Sequence, residues 1–127
     1  MTGSRLRVAV VDDEASVRTS LRRLLSAFDL DAETFASGQE FLDSLLERSP
    51  DCLVLDLQMP GLSGLEVQRR LAADGVRVPT IIITADDAPE TRERCLSAGT
   101  AAYLCKPFDD RTLLAMVTRL VTRAVEP

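Results

Sequence analysis

Five positions in this chain could do chemistry together. The acid pair Asp12 and Asp13 closes the apolar run VAVVD (8–12), Asp56 closes CLVLD (52–56), Thr84 closes TIIIT (80–84), and Lys106 follows AAYLC (101–105). Three carboxylates gathered in one place repel. A pair about 4 Å apart costs around 4 kcal/mol at an effective dielectric near 20. Relief comes from protonating one acid or from holding a cation. Oxygen ligands without imidazole or thiolate favour a hard ion, Mg2+ ahead of Zn2+, and Mg2+ usually shares its site with phosphate oxygens. A carboxylate can also be a nucleophile that forms an aspartyl phosphate. With Asp56 in the middle, a metal on one side and Thr84 and Lys106 on the other, the set suits phosphoryl transfer: in-line attack, with the transferred oxygens neutralised by metal and ammonium.

Each residue also has a plainer reading. Asp12 and Asp13 could simply complement a helix N-terminus, as expected for Asp86, Asp87, Asp109 and Asp110. Thr is common in strands, and a lysine is commonly a solvated surface cation. Two features favour the joint reading. A lone buried carboxylate such as Asp56 is costly. Lys106 is the one lysine among the 15 basic residues, which suits a site wanting a compact point charge without a guanidinium fork.

The elements that must position these residues follow from periodicity. The five apolar runs, with AETF (32–35) as the second, read as strands bounded by turn residues. Helical patterns separate them. Val17, Leu21, Leu24, Leu25 and Phe28 form one face of the first helix. Ser37/Glu40 and Ser63/Glu66 have capping-box spacing and open the second and third. Pro89 lies near the first turn of the fourth and Gly99 just past its end. Leu113, Leu114, Val117, Leu120 and Val121 mark the fifth, after Asp109 and Asp110. Strand then helix, five times, predicts an α/β fold with a parallel sheet covered on both faces. VAVVD, CLVLD and TIIIT are nearly all apolar and suit the centre, while AETF and AAYLC suit the edges. Short right-handed crossovers then favour the strand order 2-1-3-4-5 of flavodoxin-like doubly wound sheets, whose ligands sit beyond the carboxyl ends of the strands at the switch between strands 1 and 3. Across four neighbouring strands the reactive row spans roughly 15 Å.

Composition narrows the function classes. The 127 residues, 46% hydrophobic and 28% charged, fit one globular domain, residues 1–127, in which about residues 123–127 could begin a linker. The formal net charge of −5 leaves no basic excess for phosphate backbones, so direct nucleic acid binding is not expected. The chain has no histidine, hence no imidazole base, no Ser–His triad and no His metal ligand. Cys52, Cys95 and Cys105 are odd in number and form no C-x-x-C, and they read as buried thiols. No apolar run approaches the roughly 20 residues of a membrane span, and the N-terminus lacks a signal-peptide core, so a cytoplasmic protein is expected.

The stretches VAVVDDE (8–14), LVLDLQMPGLSG (53–64), IIITA (81–85) and AYLCKPF (102–108) resemble the receiver domain of bacterial response regulators over about residues 5 to 122. DLQMPGLSG followed by KPF looks most like receivers of the nitrogen-fixation type among LuxR-like regulators. The resemblance implies that Asp56 is the phosphoacceptor and that Asp13 binds Mg2+ directly and Asp12 through water. Asp56 and the backbone carbonyl of Gln58 would complete the protein ligands. Thr84 would hydrogen-bond the phosphoryl group and Lys106 would pair with it, before Pro107 in a cis peptide. Tyr103 matches the aromatic switch position, and small Ala85 leaves Thr84 room to move. Met59, Pro60 and Gly61 match the loop after the phosphoacceptor, although on physics alone they are a turn. Gln58 and Asp86 correspond to positions that vary among receivers and tune phosphoryl lifetime.

The expected function is a phosphorylation-driven switch rather than an enzyme with an external substrate. A histidine kinase would donate to Asp56, and the face of helix 4, strand 5 and helix 5 would change to control a homodimer or an output partner, with transcription as the expected output. Alternatives on the same architecture are an unswitched scaffold, an FMN protein and an aspartate-nucleophile phosphatase. The FMN protein wants a Ser/Thr/Gly-rich loop where DDEASV (12–17) stands, and the phosphatase wants an acid where Gln58 stands. The chain is either a stand-alone receiver or the input half of a longer regulator, and the nitrogen-fixation-like motifs favour the second.

Overall fold

Residues 5–86 and 88–125 are described in the computed structural model. Its strands are the expected apolar runs: β1 Arg7–Val11, β2 Asp31–Phe35, β3 Cys52–Asp56, β4 Thr80–Thr84 and β5 Ala102–Cys105. The helices between and after them are α1 Ala15–Ala27, α2 Gly38–Ser44, α3 Gly64–Ala73, α4 Pro89–Ser97 and α5 Asp110–Val125. All pairings are parallel, and the strand order is β2-β1-β3-β4-β5. Every residue of β3 and β4 is buried, whereas β2 and β5 are only partly covered. Central strands thus carry continuous apolar sequence and edge strands do not.

Alternation along the strands divides the core into two layers. Val8, Val10, Val54, Ile81 and Ile83 pack with Leu21 and Leu25 of α1 and with Leu113, Val117 and Val121 of α5. Ala9, Val11, Leu53, Leu55 and Ile82 pack with Phe41 of α2, Val67 and Leu71 of α3, and Cys95 of α4. Each fully buried Leu or Ile contributes roughly 1.5–3 kcal/mol.

Several sequence expectations shift by a residue or in degree. β1 starts at Arg7, whose N–H donates to the Asp51 carboxylate at 2.8 Å, and it stops at Val11, leaving Asp12 just past the strand. β5 starts at Ala102, one residue later than expected, with the Ala101 N–H already donating to the Thr80 carbonyl of β4. Ser63 and Glu66 form the full reciprocal capping box on α3, but on α2 only the Ser37 half is made. Pro89 stands in the first turn of α4, and Gly99 follows it at φ 98°. Cys52 and Cys95 are buried, but Cys105 is only partly so, because it ends an edge strand. α5 runs through Val125, and Glu126 and Pro127, at the end of the stretch expected to begin a linker, lie outside the described residues. Among the described residues no helix is long and apolar enough to cross a membrane.

One close approach ties the fold to the reactive row. A Cβ on Gly64 would meet the Asp56 carbonyl oxygen at 2.5 Å and Leu57 Cα at 2.9 Å, and both are backbone atoms. α3 can start flush against the end of β3 only because residue 64 has no side chain. Gly64→Ala should therefore cost about 1–3 kcal/mol by overpacking. Thermal denaturation should show a melting point lowered by several degrees, and an unchanged value would mean that α3 moves freely relative to Asp56.

Candidate phosphoacceptor site

The carboxyl ends of β1 and β3 bring the three acids together. Asp12, Asp13 and Asp56 each offer a carboxylate oxygen, all within 4.8 Å of one another. Asp12 is fully buried and Asp56 is 4% exposed, while Asp13 faces solvent. Asp12 is held on every side. Its Oδ1 accepts from the Glu14 N–H at 2.9 Å, its Oδ2 accepts from Lys106 Nζ at 3.1 Å, and its carbonyl accepts from Arg18 at 2.8 Å. Its own N–H donates to the Phe35 carbonyl. A buried carboxylate that kept fewer partners would be strongly destabilising.

Lys106 reaches the pocket from just past β5, and the Lys106–Pro107 peptide is cis. Its side chain is 20% exposed, and its ammonium lies 3.1 Å from Asp12, 3.5 Å from Glu14 and 3.6 Å from Asp56. Burial alone would lower its pKa. The hydrogen bond to Asp12 and the charges of Asp56, Asp12 and Glu14 outweigh burial and hold the ammonium above the ordinary lysine value. The plainer reading of Lys106 as a solvated surface cation is thus set aside by geometry.

Asp56 is pushed the other way. Burial, then the charge of Asp12, and also a hydrogen bond that the protonated Asp56 carboxyl donates to the Asp13 carboxylate raise it to about 7, against the pull of Lys106 and the Gln58 backbone N–H. Without a bound cation, this crowding favours Asp56 in its uncharged form. The donor set is all oxygen and holds surplus negative charge, so the residues fit a hard divalent cation. Asp12, Asp13 and Asp56 are the side chains that would hold it, and such an ion would neutralise phosphoryl oxygens beside Asp56.

Thr84 is fully buried at the end of β4, one residue beyond Ile83, the partner of Asp56 in the sheet. Its Oγ1 accepts from the Asp86 N–H at 3.0 Å. Asp86 in turn binds the start of α4, accepting from the Ala88 N–H at 2.9 Å and the Thr91 hydroxyl at 3.0 Å. The Tyr103 hydroxyl donates to the Asp86 carbonyl at 2.7 Å, and Arg92 lies over the Tyr103 ring. Thr84 and Tyr103 are thus joined through one loop residue. Asp86 does complement a helix start, as does Asp109, whose Oδ1 accepts from the Arg111 N–H at 3.2 Å, whereas Asp87 lies outside the described residues. Burial pushes the Cys52 thiol up to about 12, and it also raises Cys95, so both stay protonated.

Sequence reasoning missed Glu14 and Arg18. Both occupy the start of α1 and touch the site only because that helix begins directly over the acid pair.

Residues 8–118 match the response regulator receiver domain family. The chain belongs to that family. It is 44% identical over 118 residues to response regulator MprA of Mycobacterium avium, covering 93% of this chain and 52% of that protein. It spans about half the length of the curated relatives it matches. Among solved structures, a response regulator receiver protein from Burkholderia phymatum is 49% identical, with a TM-score of 0.82 over 93% of this chain and 96% of that one. The structure of FixJ-N is 29% identical, with a TM-score of 0.88 over 98% of this chain and 100% of that one. As a receiver, this domain is a phosphoaccepting signalling switch.

The raised Asp56 pKa has a consequence for stability. In the folded, cation-free receiver Asp56 keeps its proton up to about 7, while the unfolded chain releases it near the ordinary carboxylate value of 3.8. The folded state therefore binds the extra proton between those values. The stability this confers is complete below about pH 4 and is lost as pH rises through 7. Asp56→Asn should abolish this dependence and, at pH 8 without divalent cations, raise stability by on the order of a few kcal/mol. Urea unfolding at pH 5 and pH 8 would check it. Equal pH slopes for the two proteins would show that Asp56 ionises normally.

Proposed function

We propose that Asp56 is the phosphoacceptor of this receiver and that a histidine kinase is its donor. The observation that carries the reading is a nearly buried carboxylate set between two further acids within 4.8 Å and an ammonium at 3.6 Å. One Asp56 oxygen attacks phosphorus in line, a P–O bond forms, and the P–N bond of the donor phosphohistidine breaks. The electron pair leaves with the imidazole, which takes up a proton from solvent. Lys106 neutralises the incoming oxygens, and the Thr84 hydroxyl donates to them. Mg2+ is the proposed cation, with the Asp12, Asp13 and Asp56 side chains and the Gln58 backbone carbonyl as its protein ligands. The domain is not an enzyme on external substrates, since it transfers and loses only its own phosphoryl group.

The switch runs outward from Thr84. A phosphoryl group adds up to about two negative charges and three acceptor oxygens. Drawing the Thr84 hydroxyl toward it disturbs the Asp86 N–H bond, and with it the loop that carries the Tyr103 contact and the start of α4. The face of α4, β5 and α5, where Leu96 is 47% exposed, is the proposed homodimer or output surface. Complete switching requires about 5.5 kcal/mol of differential interaction, within reach of several charge-assisted bonds. The length of the relatives supports an output domain beyond this receiver, and DLQMPGLSG with KPF supports the nitrogen-fixation, LuxR-like type of transcriptional regulator. The domain works in the cytoplasm and makes no direct nucleic acid contact, in keeping with its net charge of −5.

Incubation with acetyl phosphate and Mg2+ should add one phosphate to the intact mass, and Asp56→Ala should add none. Phosphate on the Asp56→Ala variant would refute the assignment. Mg2+ titration calorimetry should show binding that weakens at least tenfold in Asp13→Ala, and unchanged binding would remove Asp13 from the site.

A further inference from the structure

We propose that Glu14 is a positioning residue that holds the Lys106 ammonium at the pocket mouth and is displaced when phosphoryl oxygens take that ammonium. The inference rests on the reading of Asp56 as phosphoacceptor. A lysine ammonium has three N–H donors, and Lys106 faces three carboxylates, Asp12 at 3.1 Å, Glu14 at 3.5 Å and Asp56 at 3.6 Å. Asp12 and Glu14 accept hydrogen bonds from two of these donors, and Asp56 attracts the ammonium from just beyond hydrogen-bond reach, so the ammonium is engaged before any phosphoryl group arrives. Binding the new oxygens means that Lys106 releases or loosens one partner.

The three partners are not equal. The Asp12 side chain is 0% exposed and that of Asp56 is 5%, whereas that of Glu14 is 60% exposed. Stripping a buried carboxylate of its cation leaves an uncompensated charge out of reach of water, while an exposed one is simply rehydrated. Glu14 is thus the arm that yields. Its backbone is fixed, because its N–H donates to Asp12 Oδ1 and its carbonyl accepts from the Arg18 N–H in the first turn of α1. Its side chain makes no capping bond to that helix, although it stands at the N-cap. The carboxylate is therefore anchored beside the pocket and free to swing away. It also lies outside the Asp12, Asp13 and Asp56 group that could hold a metal, so the cation and Glu14 do not compete for the same role. Phosphorylation then releases a negative side chain at the start of α1.

Lys106 is the only lysine, so protein labelled with 13C,15N-lysine reports this ammonium in a single side-chain signal. Glu14→Gln should shift that signal in the unphosphorylated protein. After addition of beryllofluoride and Mg2+ the wild-type and Glu14→Gln signals should converge. The rate of phosphate gain from acetyl phosphate, read by intact mass, should rise about two- to fivefold in Glu14→Gln, the scale of an exposed ion pair. Glu47→Gln, an exposed change in the turn after α2, should leave the rate unchanged. A Lys106 signal indifferent to Glu14→Gln, signals that stay apart with beryllofluoride, or an equal gain in Glu47→Gln would each overturn the proposal. Absence of added phosphate on the wild type would instead sink the phosphoacceptor reading on which it rests.

Discussion

Burying two carboxylates side by side is the constraint around which this domain is arranged. Asp12 and Asp56 are withdrawn from water at the ends of adjacent strands, where their mutual repulsion is strong. The fold answers with one ammonium, a backbone amide for each carboxylate, and an Asp56 pKa raised toward the uncharged form. None of these answers is complete without a cation. The receiver is therefore held in a state that ligands can improve, and a switch needs that property.

The parallel sheet supplies the positioning. Because all five strands run the same way, every carboxyl end lies at one edge, and Asp12 and Lys106, 94 positions apart in sequence, meet there. Rigidity comes from below, where the continuous apolar strands β3 and β4 are covered on both faces. Compliance comes from above. α4 contributes only Cys95 to the buried core and is otherwise tied down by bonds to Asp86, so its start depends on a single loop residue.

Much of this was legible in the sequence, for a physical reason. Asp12, Asp56, Thr84 and Lys106 each stand where an apolar run ends, and strand-end position is encoded by hydrophobic pattern alone. The strand order followed from which runs were apolar throughout. Residues whose role depends on crossing geometry were not legible. Glu14 and Arg18 look like ordinary first-turn helix residues, and only the placement of α1 over the acids gives them partners. The Asp86–Tyr103 bond spans 17 positions and follows no periodicity. Cys105 was read as buried because its run is apolar, but an edge strand covers its last residue incompletely.

Tyr103 is the single tyrosine, and the chain has no tryptophan. Its hydroxyl is bonded to the loop that Thr84 also holds. The near-ultraviolet absorption and emission of the whole domain are consequently dominated by one ring, seated where the conformational signal passes. The molecule carries its own optical gauge, and no foreign dye has to be attached to follow it.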